Sequence, residues 1–235
     1  MRFLIPQGGS WDDRFAGILT TYKHRGIPRP IKAGHPWAGD NCAFKNFNPR
    51  NFVAWLDTML PYRSTCLFIT VPDKVADAGA TIDMFHQWWP HLADWPLAFV
   101  AQDGQEWLEW PTSEDFTDYC YGHLAGDDDE SFHDCQEQWR RQCHPWTCLF
   151  VGGSTAWKLS QAAADLIADA KAMGKCIHIG RVNYTPRYPH FRLLPGSEAF
   201  TCDGTRPRYD GRQATLTAWA GYQSQPPLLP MSRVG

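Results

Sequence analysis

The sequence predicts an α/β fold with a parallel sheet, closed as a compact (β/α)8 TIM-type barrel, and three observations predict it. Its 235 residues suit a single barrel, a fold that runs to about 250 residues. Short apolar runs alternate with helical patterns along most of the chain. One βαβ unit, Cys148 to Gly180, can be bounded at every step. The run Cys148-Leu149-Phe150-Val151 stops abruptly in Gly152-Gly153-Ser154-Thr155. Ser160 then caps a helix whose Leu166, Ile167, Ala170 and Met173 recur at helical spacing, and Gly174 sits where a left-handed C-terminal residue is wanted. The next strand, Cys176-Ile177-His178-Ile179, ends at Gly180. A unit of about 30 residues of this kind implies parallel strands, with the functional loops at their C-terminal ends. The glycine pair either lets a ligand lie against bare backbone N–H groups or simply makes a tight turn.

The other elements follow in chain order. Phe3-Leu4-Ile5 is a first strand, and a helix is expected from Asp12 to Tyr22, followed by a loop from Lys23 to Pro36. Trp37-Ala38-Gly39 leads into a strand end at Asp40-Asn41-Cys42-Ala43-Phe44. Asn48 as N-cap and Pro49 at the first helical position start a helix with Phe52, Val53, Leu56, Met59 and Leu60 on one face, stopped by Pro61. Thr65 to Val71 reads as a strand buried on both faces, ending at Pro72-Asp73. A helix with Ile82, Phe85, Trp89 and Leu92 inward follows, then the strand Leu97 to Ala101, ending at Gln102-Asp103-Gly104. Between Trp107 and Pro145 the pattern is less regular, with a helix expected near Ser131 to Arg141 after the acidic surface run Asp127 to Glu130. Ala199 to Cys202 is a last strand, ending at Asp203-Gly204-Thr205. About seven strands are legible, against the eight a closed barrel needs. Residues 1–225 form one catalytic domain in this reading, and the proline-rich tail from Pro226 to Gly235 is extended or disordered.

The net charge of -3 argues against a wholly basic surface, yet Arg181 to Arg212 holds six arginines against Glu198, Asp203 and Asp210. Tyr184, Tyr188, Phe191 and Tyr209 are interleaved with them, which suits phosphate contacts combined with base stacking; ordinary surface arginines are the alternative. The eight cysteines lack a regular pairing pattern, and no N-terminal apolar stretch exceeds Phe3-Leu4-Ile5. Free thiols in a reducing cytoplasm and no membrane span are therefore expected. Cys120, His123, His133, Cys135, Cys143 and His144 gather closely but fit no regular finger spacing, so free thiols are expected there rather than zinc. Most of the twelve tryptophans are expected in the core.

The residues directly after the strands are Asp40, Asp73, Gln102, Gly152-Gly153, Gly180 and Asp203. In a parallel barrel all of them face one mouth. Three carboxylates, an amide and a glycine pair suit a ligand with several N–H donors and one or two carbonyls, which describes a purine-like base. Two carboxylates can also divide nucleophile and acid/base roles when their environments separate them. Any single aspartate here can instead be a helix cap.

In order and neighbours these residues resemble the tRNA-guanine transglycosylase superfamily, particularly its small phage and bacterial branch that inserts 7-deazaguanines into DNA. The resemblance spans roughly Asp40 to Thr205 and rests on short motifs. It implies a (β/α) barrel that exchanges guanine for a free 7-deazaguanine base by double displacement, with DNA as partner, no cofactor and a bacterial cytoplasm as setting. Asp203 would then be the nucleophile at the sugar C1′, and Asp40 the base that deprotonates the incoming purine. Phe44 would stack on that purine, and Asp73 and Gln102 would read its edge. Gly152, Gly153 and Ser154 would lie against it, and Ile179-Gly180 would cover its other face. Independently of the resemblance, the charge of the arginine-rich segment makes Arg181, Arg187, Arg206 and Arg208 the residues expected to hold the nucleic acid. The 32 residues after Asp203 contain no cysteine, so the family's Cys-x-Cys-x-x-Cys zinc subdomain has no counterpart in them. Five residues after Gly153, where members that accept an aminomethyl base carry glutamate, stands Lys158. A lysine inside the pocket favours a neutral 7-cyano substituent, or its carboxamide relative, over a cationic amine; a lysine turned toward phosphate or solvent is the alternative. Two other readings stay open on the residues alone: a non-catalytic nucleobase-binding or nucleic-acid-binding module, and a related N-glycosidase or tRNA transglycosylase.

Overall fold

The computed structural model describes residues 1–8, 11–112, 143–182 and 187–204, together with positions 214 and 217. Eight parallel strands close into a barrel in chain order: β1 (Arg2–Pro6), β2 (Gly17–Thr21), β3 (Trp37–Asp40), β4 (Cys66–Thr70), β5 (Leu97–Ala101), β6 (Cys148–Val151), β7 (Cys176–Ile179) and β8 (Thr201–Cys202). The seam is made by β8 against β1, pairing Arg2 with Thr201 and Phe3 with Cys202. The described helices are α1 (Arg29–Lys32), α2 (Pro49–Met59), α3 (Ala78–Leu92), α4 (Thr155–Lys158), α5 (Gln161–Ala172) and α6 (Arg187–Arg192). This is a (β/α)8 TIM-type barrel.

Strand alternation sorts the core into two layers. Leu4, Leu19, Ala38, Phe68, Ala98 and Cys148 fill the barrel interior, with Phe150 packed against them. The alternate residues, among them Phe3, Ile5, Ile18, Trp37, Ile69, Phe99, Leu149, Ile177 and Ile179, face the helices and form the larger outer layer. Caps hold the helix starts: Asn48 accepts from the Asn51 N–H, Asp77 from Ala80 and Ser160 from Ala163. Gly174, at φ 74°, ends α5, and the Lys175 N–H closes on the Ala170 carbonyl at 2.9 Å.

The structure corrects the sequence reading in several places. No helix spans Asp12 to Tyr22; a turn there leads into β2, the strand missing from the count. Ile18 and Leu19 point to opposite faces of the sheet, a period of two that a five-residue strand is too short to separate from a helical pattern. The strand expected to reach Phe44 stops at Asp40, because Cys42 turns left-handed at φ 57° and Ala43–Lys45 form a 3-10 turn. The loop from Lys23 to Pro36 contains α1, and Ser197–Ala199 is a 3-10 turn that shortens β8. Val53 and Leu60, expected inward on α2, are exposed, as is Leu67 on β4. Trp37, Trp95, Trp146 and Trp157 are buried, whereas Trp107 is 83% exposed.

The six described cysteines are free thiols. No described helix is long and apolar enough to cross a membrane, and the described residues contain no group of three or more His, Cys, Asp or Glu placed to hold a metal ion. The helix expected near Ser131 to Arg141, the acidic run before it, Cys120, His123, His133, Cys135, Tyr184, Arg206, Arg208, Tyr209 and the tail from Pro226 lie outside the described residues.

Candidate active site

The C-terminal ends of the strands open on one cavity of ≈ 110 Å³. Asp40 from β3, Asp73 after β4, Gln102 after β5, Gly152 and Gly153 after β6, and Asp203 after β8 all line it. They come from five separate strands and meet because parallel strands in a closed barrel end at one rim.

Asp73 is held by two amides. Asn41 Nδ2 donates to its Oδ1 and Gln102 Nε2 to its Oδ2, each at 2.7 Å. Both amides are themselves oriented. Asn41 Nδ2 also donates to the Val71 carbonyl at 2.7 Å, and Asn41 Oδ1 accepts from the Ala43 N–H at 2.7 Å. Gln102 Oε1 accepts from the Gly153 N–H at 2.9 Å and the Ala76 N–H at 3.1 Å. Each Asp73 oxygen keeps a further lone pair, and Gln102 Nε2 keeps a second hydrogen. Burial pushes the Asp73 carboxyl up to about 6, against the hydrogen bonds of Asn41 and Gln102 and with added repulsion from Asp40.

A folded value above the unfolded one means that the fold holds this proton more tightly. The stabilisation is full below the unfolded pKa and is lost as pH rises through about 6. We therefore expect Asp73→Asn to flatten the decline in thermal stability between about pH 3 and pH 7, a component on the order of 3 kcal/mol in the wild type. Melting curves across that range check it, and an unchanged decline in the variant would remove Asp73 as its source.

The glycine pair works differently from the expectation of bare N–H groups. The Gly152 N–H bonds the Ala101 carbonyl at 2.9 Å and the Gly153 N–H is taken by Gln102. What this turn supplies is close approach. Gly153 has φ 68°, and a Cβ there would sit 2.6 Å from Asp103 Oδ2 and 2.7 Å from the Trp157 ring. Ser154, expected at the ligand, instead donates its N–H and hydroxyl to Asp103 and caps α4 through the Trp157 N–H. Neither Ser154 nor Ile179 is among the cavity-lining residues; Ile179 is buried in the helix-facing layer. The apolar wall comes from Val100 and Phe150 instead, with Gly180 leaving room for the Phe150 ring. Lys158 is 3% exposed, lines the cavity and donates from Nζ to the Gly180 carbonyl at 2.8 Å.

Asp203 sits on a histidine. His178, fully buried, places Nε2 3.2 Å from Asp203 Oδ1 and Nδ1 2.9 Å from Thr201 Oγ1. Its ring lies 5.1 Å from Phe68 and 4.6 Å from Phe150, centroid to centroid. The Arg181 N–H donates to the same Oδ1 at 2.8 Å. Burial works to raise the Asp203 carboxyl, but the hydrogen bond and pull of His178, the Arg181 N–H and Lys158 outweigh it, so Asp203 lies below its ordinary value. Asp40 goes the other way. Burial, aided by the Asp203 charge, raises it despite the Cys42 N–H on its Oδ1 at 2.7 Å.

At the mouth, Phe44 is 60% exposed and the Arg181 guanidinium carbon lies 3.6 Å from its ring centroid. Arg181, expected on a polymer-binding surface, is thus a cavity residue. Arg187 opens α6. Sequence reasoning missed Asn41, Thr70, Val100, Phe150 and His178. For His178 the signal was present: a polar residue between two outward-facing isoleucines in a barrel strand must point inward.

No protein-family model, no curated protein and no solved structure matches this chain. The barrel assignment therefore stands on strand pairing, and the fold is one mostly used by enzymes, with their sites at this end.

Proposed function

We propose that the chain is a DNA-guanine transglycosylase that replaces guanine with a 7-deazaguanine, of the superfamily its strand-end motifs resemble. The observation that carries the reading is the pair Asp40 and Asp203: two carboxylates on one cavity, pushed in opposite directions. Asp203, kept ionised, attacks C1′ of the target nucleotide. The C1′–N9 bond breaks, its electron pair goes to guanine, and Asp40 supplies the proton that neutralises the leaving base. The incoming deazaguanine then gives its N9 proton to Asp40, N9 attacks C1′, and the Asp203 carboxylate is released. Reaching C1′ in this cavity requires an extruded or single-stranded nucleotide.

Asp73 and Gln102 suit the purine edge, with lone pairs for N–H donors and one amide hydrogen for the carbonyl. Phe44, Val100 and Phe150 supply the apolar surface on which the faces of a base would pack. Incubation with DNA or tRNA and candidate bases, followed by nucleoside mass spectrometry, tests the proposal. Guanine release coupled to deazaguanine incorporation into DNA is expected. Release without incorporation would make the chain an N-glycosidase, incorporation into tRNA alone would change the polymer, and no release from either would leave a binding module.

Lys158 supports a preference for the substituent. Its ammonium is buried beside the cavity, where a second cation is unfavourable and a nitrile can accept a hydrogen bond. In competition we expect the 7-cyano base to be incorporated at least about tenfold faster than the aminomethyl base, a difference of about 1.4 kcal/mol. Lys158→Met should erase that preference; equal incorporation by the wild type would show that Lys158 does not read the substituent.

A further inference from the structure

A second concavity lies beside the mouth, between the segment after β2 and α2. Tyr22, His24, Lys32, Asn51, Trp55 and Thr58 are among its walls, and its volume is ≈ 600 Å³. The upper end joins the loop that carries Phe44. The Tyr22 hydroxyl donates to the Asn46 carbonyl at 3.3 Å and accepts from the Asn48 N–H at 2.9 Å, and Lys23 Nζ donates to the same Asn46 carbonyl at 3.1 Å. Residues 22–32 hold Lys23, Arg25, Arg29 and Lys32 and no acidic residue, in a chain whose net charge is -3. All four are exposed, as is Arg50 at the start of α2. Tyr22 and Trp55, half-buried, offer aromatic surface in the walls of this groove; Lys32 lines the groove itself, and Lys23, Arg25 and Arg29 stand on the same segment that supplies this wall.

We propose that this groove is the track for the nucleic-acid strand flanking the nucleotide held in the cavity. A segment with four exposed cations beside a groove with aromatic walls matches a phosphodiester backbone with unstacked bases, and the upper end of the groove is tied by Tyr22 to the loop that carries Phe44. A protein partner would meet the same charges, but the continuity with a cavity built for a base favours the strand. The inference rests on the transglycosylase reading for its choice of substrate.

The test uses the full chain, a fluorescein-labelled mixed-sequence DNA of about 30 nucleotides, single-stranded or duplex, and a range of salt concentrations. Arg25→Glu/Arg29→Glu, which leaves the cavity residues intact, should weaken single-strand binding at least about tenfold. Its log–log salt slope should be shallower by about 1.4–1.8, the value for two lost phosphate contacts. A charge-matched control at the other end of the barrel, Arg63→Glu/Lys171→Glu, should change both far less. Unchanged affinity and slope in the groove variant, an equal loss in the control, or no DNA binding by the wild type would each overturn the proposal. Base exchange is read separately. If the wild type binds DNA through the groove but exchanges no base, the groove stands and the transglycosylase reading falls; if exchange proceeds and the groove variant binds normally, the reverse holds.

Discussion

Asp203→Asn folds normally and loses base exchange by about 10⁴-fold or more, the scale on which removing a catalytic nucleophile acts. The substitution is isosteric, and an amide oxygen in the Oδ1 position still accepts from the Arg181 N–H. What disappears is the anion that bonds to C1′. The variant should still bind DNA and free deazaguanine, and no covalent DNA adduct should be trapped, whereas the wild type yields one under turnover conditions. A pH signature accompanies the loss. Because the folded Asp203 lies below its ordinary value, it stabilises the fold above its unfolded pKa, and that contribution is lost as pH falls through the folded value. The variant should lack this acid-side loss in denaturation curves. Exchange near the wild-type rate in a folded Asp203→Asn protein would remove Asp203 from the mechanism.

Replacing His178 should produce the next largest effect, through Asp203. The imidazole is fully buried and bonded on both sides, at Thr201 and at Asp203, so it fixes one carboxylate oxygen and leaves the other for the sugar. It is a positioning residue, with no access to substrate of its own. His178→Leu should lower kcat by about 10²-fold, the usual cost of one preorganised donor, with little change in KM. The hydrogen bond lowers the Asp203 pKa, so its removal raises that pKa and moves the acid limb of the kcat–pH profile to higher pH. His178→Gln, which returns an N–H donor, should recover part of the rate. A loss of rate with an unmoved acid limb in a folded His178→Leu protein would reduce His178 to packing.

The strand-end positions are legible in the amino-acid order alone, because each lies where an apolar run breaks into Asp, Gln or Gly, and a closed parallel barrel carries all such breaks to one rim. Asp40, Asp73, Gln102, Gly152, Gly153 and Asp203 do line one cavity. Strand β2 is not legible, since Gly17 to Thr21 offers only five residues and its alternation is too brief to exclude a helix. The direction of a side chain is harder still. The Gly153 N–H and Ser154 both fall in a segment expected to contact the ligand, yet their hydrogen bonds run to Gln102 and Asp103. Spacing along the chain says which loop a donor belongs to, but not which acceptor another loop brings within about 3 Å of it. The same limit applies to the carboxylates. Local pattern is enough to specify a barrel with aspartates at its rim, because periodicity and the breaks in it are properties of neighbouring residues. That Asp203 is held ionised while Asp40 and Asp73 are pushed up follows only from the folded chain, because burial, the His178 contact and the charges of neighbouring strands arise when distant segments meet.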